Sequence, residues 1–244
     1  MPGGPSRPRA GALTAVLITR PEPGASETAA ACAALGWDAI LAPAMLLQAT
    51  PPVRLPRAQA VLLASRAAAR ALAPMALPVL AVGDGTAAEA RARGFTNVRA
   101  AEGDAAALAE AATATLDPAA GPLLLAVGCG YGAELAAALR RRGFRVIRRV
   151  TYAAAPATAL PPPALAALRA GRITAALFTS PRGARITIAL LRQAGLAAAA
   201  RGIRAIAISP RIAETLAVLP WASTDCTARP DPALLPARLG PPPV

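Results

Sequence analysis

Four hydroxyl residues, Ser65, Thr86, Ser180 and Ser209, each stand just past a short apolar run and just before a stretch of helical character. A hydroxyl in that place caps a helix, and several helix N-termini gathered at one edge of a sheet hold anions through their unspent N–H groups. The clearest case is Ile173 to Arg185 (ITAALFTSPRGAR), where the apolar run stops at Thr179-Ser180-Pro181. Such a run reads as a strand buried on both faces, and Ser followed by Pro reads as N-cap and first helical position. The same shape stands 115 residues earlier, from Ala58 to Arg70 (AQAVLLASRAAAR), so that Ser65 aligns with Ser180 and Arg70 with Arg185. A unit repeated at that distance implies two similar halves. Two glycine-rich turns add to the set. In Gly83-Asp84-Gly85-Thr86-Ala87, Gly83 permits an unusual backbone angle and Thr86 is placed to cap a helix. In Gly128-Cys129-Gly130-Tyr131-Gly132 the glycines let a backbone approach a ligand, as in a nucleotide loop, or simply make a tight turn.

Other chemistries are excluded by composition. The chain has no histidine, which removes Ser-His-Asp and Cys-His catalysis and argues against a zinc site. Its three cysteines, Cys32, Cys129 and Cys226, form no CxxC pair and read as reduced, mostly buried thiols. All 26 basic residues are arginine and the net charge is +13. A biased genome accounts for this, as does an anionic partner, either nucleic acid or a polyanionic small molecule. The run Arg140 to Arg142 with Arg145, Arg148 and Arg149 reads as a solvated helix end. No apolar run is long enough to span a bilayer and no signal-peptide layout opens the chain, so no membrane contact and a cytoplasmic location are expected.

The elements that must position these residues alternate. With 244 residues, 55% of them hydrophobic and 3% aromatic, the chain can build one or two domains around a core of Ala, Leu, Val and Ile. Residues 1–12 look disordered. A strand at Ala15–Thr19, a helix over Glu27–Leu35 closed by Gly36, and a strand at Asp38–Ala42 come first. Pro43 to Pro56 carries four prolines and reads as an extended linker. Five strands then alternate with four helices between Ala60 and Val150, the signature of a parallel α/β sheet. A second proline-rich passage follows over 151–163. The last block, 164–240, holds only three strands, which the first two strands of the chain complete to five. The expectation is therefore α/β: two doubly wound, five-stranded, parallel-sheet (flavodoxin-like) domains, with 57–150 inserted into a discontinuous domain of 13–42 and 164–240. The segments 43–56 and 151–163 would be a two-stranded linker about which the domains move, with a ligand cleft between them.

Taken in order, the residues resemble uroporphyrinogen-III synthase, an enzyme family of heme and corrin biosynthesis. The resemblance rests on Val16-Leu17-Ile18-Thr19-Arg20-Pro21, Leu63-Ala64-Ser65, Ala81-Val82-Gly83 with Thr86-Ala87, and Glu102-Gly103-Asp104. It continues in Val150-Thr151-Tyr152, Phe178-Thr179-Ser180-Pro181 and Ala205-Ile206-Ala207-Ile208-Ser209. It implies a substrate, hydroxymethylbilane, that carries an acetate and a propionate on every ring. It implies loss of the terminal hydroxyl, ring closure and inversion of ring D through a spiro intermediate, with no metal or cofactor. It also implies that Tyr152 assists departure of the hydroxyl. Backbone N–H groups at Ser65, Gly83, Thr86, Ser180 and Ser209 would hold carboxylates, with Arg20 and Arg182 adding charge. A monomer is expected, in passing contact with hydroxymethylbilane synthase. Ser209-Pro210-Arg211-Ile212 stands where many members carry Gly and two Thr. Two rival readings are an adenosylmethionine-dependent methyltransferase, whose glycine loop Gly128–Gly132 resembles, and a basic nucleic-acid-binding protein. Against the first, Ala126 stands where an acid is often seen, and the next strand ends in arginines.

Overall fold

The computed structural model describes residues 14–50 and 57–243. It is a mixed α/β chain that divides into two units, with boundaries at Leu46/Leu47 and Ala154/Ala155. The expectations placed on residues 1–12 and on Pro51, Pro52 and Pro56 lie outside the described residues.

The unit made of the two ends of the chain holds β1 (Ala15–Ile18), α1 (Gly24–Ala34) and β2 (Asp38–Leu41) from the first pass. From the second pass it holds α6 (Pro162–Arg169), β9 (Ile173–Phe178), α7 (Pro181–Gln193), β10 (Arg204–Ala207), α8 (Pro210–Leu216), β11 (Ser223–Cys226) and α9 (Leu235–Leu239). Its sheet runs β11-β10-β9-β1-β2, all parallel. Counted within the unit this is the 2-1-3-4-5 order of a doubly wound sheet. β1 and β9 are buried along almost their whole length, which is why both read as unbroken apolar runs. The Thr19 hydroxyl donates to the Leu177 carbonyl at 2.6 Å and locks the end of β1 to β9.

The unit from Leu47 to Ala154 holds β4 (Ala60–Leu63), α2 (Arg66–Ala71), β5 (Val79–Ala81), α3 (Asp84–Ala92) and β6 (Val98–Ala100). It continues with α4 (Ala105–Thr115), β7 (Leu123–Gly128), α5 (Ala133–Arg141) and β8 (Val146–Pro156). Its sheet order is β3-β8-β7-β4-β5-β6, with β3 at Met45–Ala49. Alternate residues feed two cores. Leu62, Leu123 and Leu125 pack on one face with Leu108 and Leu139, while Val61, Leu63 and Leu124 pack on the other with Phe95.

Three helices end alike. After α1, α3 and α5 comes a glycine at positive φ, then a buried aromatic: Gly36-Trp37, Gly94-Phe95 and Gly143-Phe144. In each the aromatic N–H reaches back to the third-last helical carbonyl and the glycine N–H to the next, a Schellman end with its apolar contact.

Two readings of the sequence change here. Within Pro43 to Pro56 the proline-free Met45–Ala49 forms β3, which makes this sheet six-stranded rather than five-stranded among the described residues. An edge strand loses few ladder bonds to flanking prolines. β8 does not stop at Val150 but runs on to Pro156. β7 has ended by then, and β3 takes over as partner: the Thr50 N–H donates to the Thr151 carbonyl and the Ala157 N–H to the Ala44 carbonyl. Residue numbers rise on one strand as they fall on the other, so this ribbon is antiparallel. The arginine run is accordingly split, with Arg140 and Arg141 on α5 and Arg148 and Arg149 on β8.

Candidate functional site

In the second sheet β4 sits beside β7, but the chain leaves β4 toward β5 on one side and β7 toward β8 on the other. The loops therefore part between these two strands, and a crevice opens at their carboxyl ends. A cavity of about 560 Å³ lies there. It is lined by Ala64 and Ser65 after β4, by Ala105, by Val127, Gly128 and the run Gly130 to Leu135 after β7, and by Tyr152 of β8.

Ser65 has extended backbone, and its Oγ accepts the Ala68 N–H at 3.1 Å, which caps α2. The same oxygen lies 3.1 Å from the Tyr152 hydroxyl. One lone pair of Ser65 is thus spent on the helix, and the two hydroxyls share one hydrogen bond in which either can donate. Two hydroxyls carry two protons, and one satisfies the pair. The other remains available to a group in the cavity.

Tyr152 reaches this position through an irregularity in β8. Val127 pairs with Val150, but Gly128 pairs with Tyr152, so Thr151 is an extra residue on that strand. The Tyr152 carbonyl accepts the Cys129 N–H at 2.9 Å and the Thr151 hydroxyl donates to the Val127 carbonyl at 3.3 Å. The Tyr152 backbone is thereby tied to the end of β7.

The opposite wall is the start of α5. Its N-cap, Gly132, has φ 81° and no side chain to cap with, so the N–H groups of Ala133, Glu134 and Leu135 have no intrahelical partner. They border the cavity at the positive end of the helix dipole. Arg148 donates from Nη1 to the Tyr131 carbonyl at 2.7 Å, which brings a guanidinium to the same loop. Glu134 is the carboxylate of this wall. The arrangement can hold an anionic group and donate one proton beside it.

The sequence-derived residues fall into two sets. Ser65 and Tyr152 meet. Gly83 and Thr86 belong to the same unit but to the next strand, and the reading of Thr86 as cap and of Gly83 as an unusual backbone angle is corrected. Gly83, not Thr86, is the N-cap of α3, and its φ of −176° is extended backbone open to any residue. Thr86 lies inside the first turn and is buried, with its N–H spent on the Gly83 carbonyl at 3.1 Å. The helix starts a turn earlier than expected because Asp84 and Gly85 are themselves helical. Arg20, Ser180, Arg182 and Ser209 belong to the other unit. Ser180 caps α7, accepting the Gly183 N–H at 3.0 Å, whereas Ser209 makes no side-chain cap bond despite the same Ser-Pro start. Arg182 is exposed. Arg20 donates from Nη1 to the Thr28 hydroxyl at 3.0 Å and lies across Gly24, where any Cβ would collide with its guanidinium.

The cysteines divide as well. Cys32 is buried, and burial pushes its thiol up to about 11, but Cys129 is exposed at the mouth of the glycine loop and Cys226 half-buried. Sequence reasoning thus missed the exposure of Cys129, and it missed Gly128, Glu134 and Arg148 as members of the site. Among the described residues no three His, Cys, Asp or Glu side chains cluster as a metal site, and no helix is long and apolar enough to cross a membrane.

Comparison with known proteins shows the family of the chain. The family model described as uroporphyrinogen-III synthase HemD matches residues 26–234. The solved structure of uroporphyrinogen-III synthetase from Helicobacter pylori superposes with a TM-score of 0.52 at 14% identity, covering 93% of this chain and 98% of that one. A mutant uroporphyrinogen III synthase from the extremely thermophilic bacterium Thermus thermophilus gives 0.39 at 17% identity over 88% and 94% of the two chains. A further Thermus thermophilus uroporphyrinogen III synthase structure gives 0.35 at 20% identity over 93% and 99%. At 14% identity the likeness to the Helicobacter pylori structure is one of fold. No curated protein matches the chain by sequence.

Proposed function

We propose how this chain works from one premise: it belongs to the uroporphyrinogen-III synthase family. Its reaction is the cyclisation of hydroxymethylbilane with loss of water, and it is a lyase of porphyrin biosynthesis. The open-chain substrate closes unaided without inverting ring D. The protein's task is then to fold the chain so that ring D is attacked at its substituted carbon, which is a matter of orientation.

In our reading Tyr152 is the proton donor. With Ser65 donating to the phenolic oxygen, the Tyr152 proton is directed at the terminal hydroxyl of the substrate. The carbon–oxygen bond breaks as that proton arrives, water leaves, and the pyrrole nitrogen lone pair stabilises the cation left behind. Attack by ring D gives the spiro intermediate, which reopens and closes in the inverted sense; the carbon that closes the ring then loses its proton, which restores the pyrrole and replaces the proton that Tyr152 gave up. The free N–H groups at the start of α5 and the Arg148 guanidinium hold a carboxylate of the ring being closed. Ser180, Ser209, Arg20 and Arg182, with Gly83 on β5's side, remain part of the reading as carboxylate contacts. A hydrogen bond to such a charge contributes about 1.5–3 kcal/mol. Thr86 enters it only as a buried support of α3.

The observation that carries the reading is the 3.1 Å contact between the Ser65 and Tyr152 hydroxyls at the point where the loops of the sheet part. The finer description of the fold belongs to the proposal too. It comprises two flavodoxin-like domains, 13–42 with 164–240 and 57–150, joined by two strands; the parallel pairing of the first sheet and of β4 to β8 in the second supports it. A monomer at work in the cytoplasm, receiving substrate from hydroxymethylbilane synthase, completes the proposal.

The test is product analysis. Purified protein supplied with hydroxymethylbilane, and with no added metal or cofactor, is expected to yield the type III isomer. Accumulation of the type I isomer alone, as in buffer, sinks the proposal.

A further inference from the structure

The first glycine of Gly128-Cys129-Gly130-Tyr131-Gly132 is the one whose presence the turn itself does not explain. Gly130 and Gly132 have φ of 85° and 81°, a region where side chains are strained. Gly128 is the last residue of β7, is buried, and has no such φ, so its backbone would accept any residue. Space is what forbids one. A Cβ on Gly128 would stand 2.7 Å from Cζ, 2.8 Å from the hydroxyl oxygen and 2.9 Å from Cε2 of Tyr152. Those are atoms of a rigid ring, not the far end of a flexible chain.

We propose that Gly128 is a positioning residue that sets where the Tyr152 hydroxyl stands. The ring lies in the space that any side chain on Gly128 would fill. From there its oxygen comes within 3.1 Å of Ser65 while the residue remains on the cavity wall. The constraints on either side of the ring leave it no other easy place. Its carbonyl is held by the Cys129 N–H, and Ser65 is fixed by capping α2. A methyl on Gly128 therefore moves the ring, and with it the proton that the cavity receives. The space that a nucleotide loop would keep clear for a ligand is occupied here by the protein's own ring. This inference rests on reading Tyr152 as the proton donor.

The test pairs kinetics with a signal that does not depend on activity. The chain has two tyrosines, so in a Tyr131→Phe background the tyrosine Raman doublet, whose intensity ratio follows phenol hydrogen bonding, reports Tyr152 alone. Gly128→Ala is expected to change that ratio as Ser65→Ala does. In the otherwise native chain it is expected to lower kcat by about the same factor as Tyr152→Phe, roughly 10²–10⁴-fold, with little change in KM. In a Tyr152→Ala background, where no ring remains to be displaced, Gly128→Ala is expected to cost nothing further in turnover or thermal midpoint. If Gly128→Ala fails to fold while the double variant folds like Tyr152→Ala, the ring is again the cause. A Raman ratio unmoved by Gly128→Ala overturns the proposal, as does a double variant that also fails to fold. A ratio that moves while turnover stays normal leaves Gly128 as the residue that places the ring, and refutes instead the proton-donor role of Tyr152.

Discussion

Tyr152→Phe separates stability from catalysis more cleanly than any other single change in the site. In the folded protein the phenol makes one identified hydrogen bond, to Ser65 at 3.1 Å. Its loss costs about 1 kcal/mol of stability or less, because the Ser65 oxygen keeps the Ala68 N–H and is not left unpaired. The midpoint of thermal unfolding should thus fall by no more than about 2–4 °C for a chain of this size. The catalytic cost is of another order. A positioned general acid is worth roughly 10²–10⁴-fold, or about 3–5 kcal/mol of barrier. KM should change little, since the proton matters in the transition state rather than in the bound ground state. Ser65→Ala should fall between: the phenol remains, but its orienting partner and the cap of a six-residue helix are gone. Ser65→Thr, which keeps a hydroxyl suited to an N-cap, should recover most of that loss. Steady-state formation of the type III isomer, with folded fraction measured on the same samples, decides the matter. If Tyr152→Phe turns over near the native rate while Ser65→Ala collapses, the proton comes from serine or from water and the assignment is wrong.

Ser180→Ala should lower stability by about 1 kcal/mol, seen as a drop of about 2–4 °C in unfolding midpoint, because its oxygen caps α7. Ser209→Ala should change the midpoint far less, since its side chain caps nothing; equal losses would show that the caps are misassigned. Asp225 accepts from Arg204 Nε at 2.5 Å and from Arg238 Nη2 at 2.7 Å, and these bonds, that from Arg204 foremost, hold its carboxyl below the usual range. A lowered folded value means stability that is present above the ordinary carboxylate pKa of about 3.9 and lost as pH falls through the folded one. Asp225→Asn should therefore be less stable at neutral pH, by about 1 kcal/mol or less for so exposed a pair, and the gap should close below pH ~4. Unfolding midpoints against pH test it, and a gap that widens in acid contradicts the reasoning.

Much of the parallel framework was legible because its strands are unbroken apolar runs and its helices end on Gly-Trp or Gly-Phe. Those are local signals. β3 was hidden by the prolines around it, since five residues at a sheet edge leave no period to read. The far half of β8 was hidden for a different reason: Ala153 to Ala155 carry no strand pattern and stay extended only because β3 lies alongside. At the site, the serine caps of α2 and α7 could be read from one residue and its neighbours. The failures at Thr86 and Ser209 show the limit of that reading. A helix can begin on Asp-Gly a turn early, and Ser-Pro can open a helix without its hydroxyl bonding to it. The place of Gly128 against Tyr152 could not be read at all, because it depends on a shifted register between strand residues 24 positions apart.

The position of β9 between β1 and β10 has a consequence for synthesis on the ribosome. β1 ends at Ile18, and the neighbour that covers its other edge begins at Ile173, 155 positions later. At about 5–20 residues per second, that edge waits some 8–30 s for its partner. Everything from β4 to β8 can emerge and fold in the interval, since its parallel pairings are all internal to that stretch. Once β8 has emerged and until β9 follows, a nascent chain carries a finished unit and an open, wholly apolar strand with the sequence AVLI, an edge exposed to chaperones and to other copies of itself.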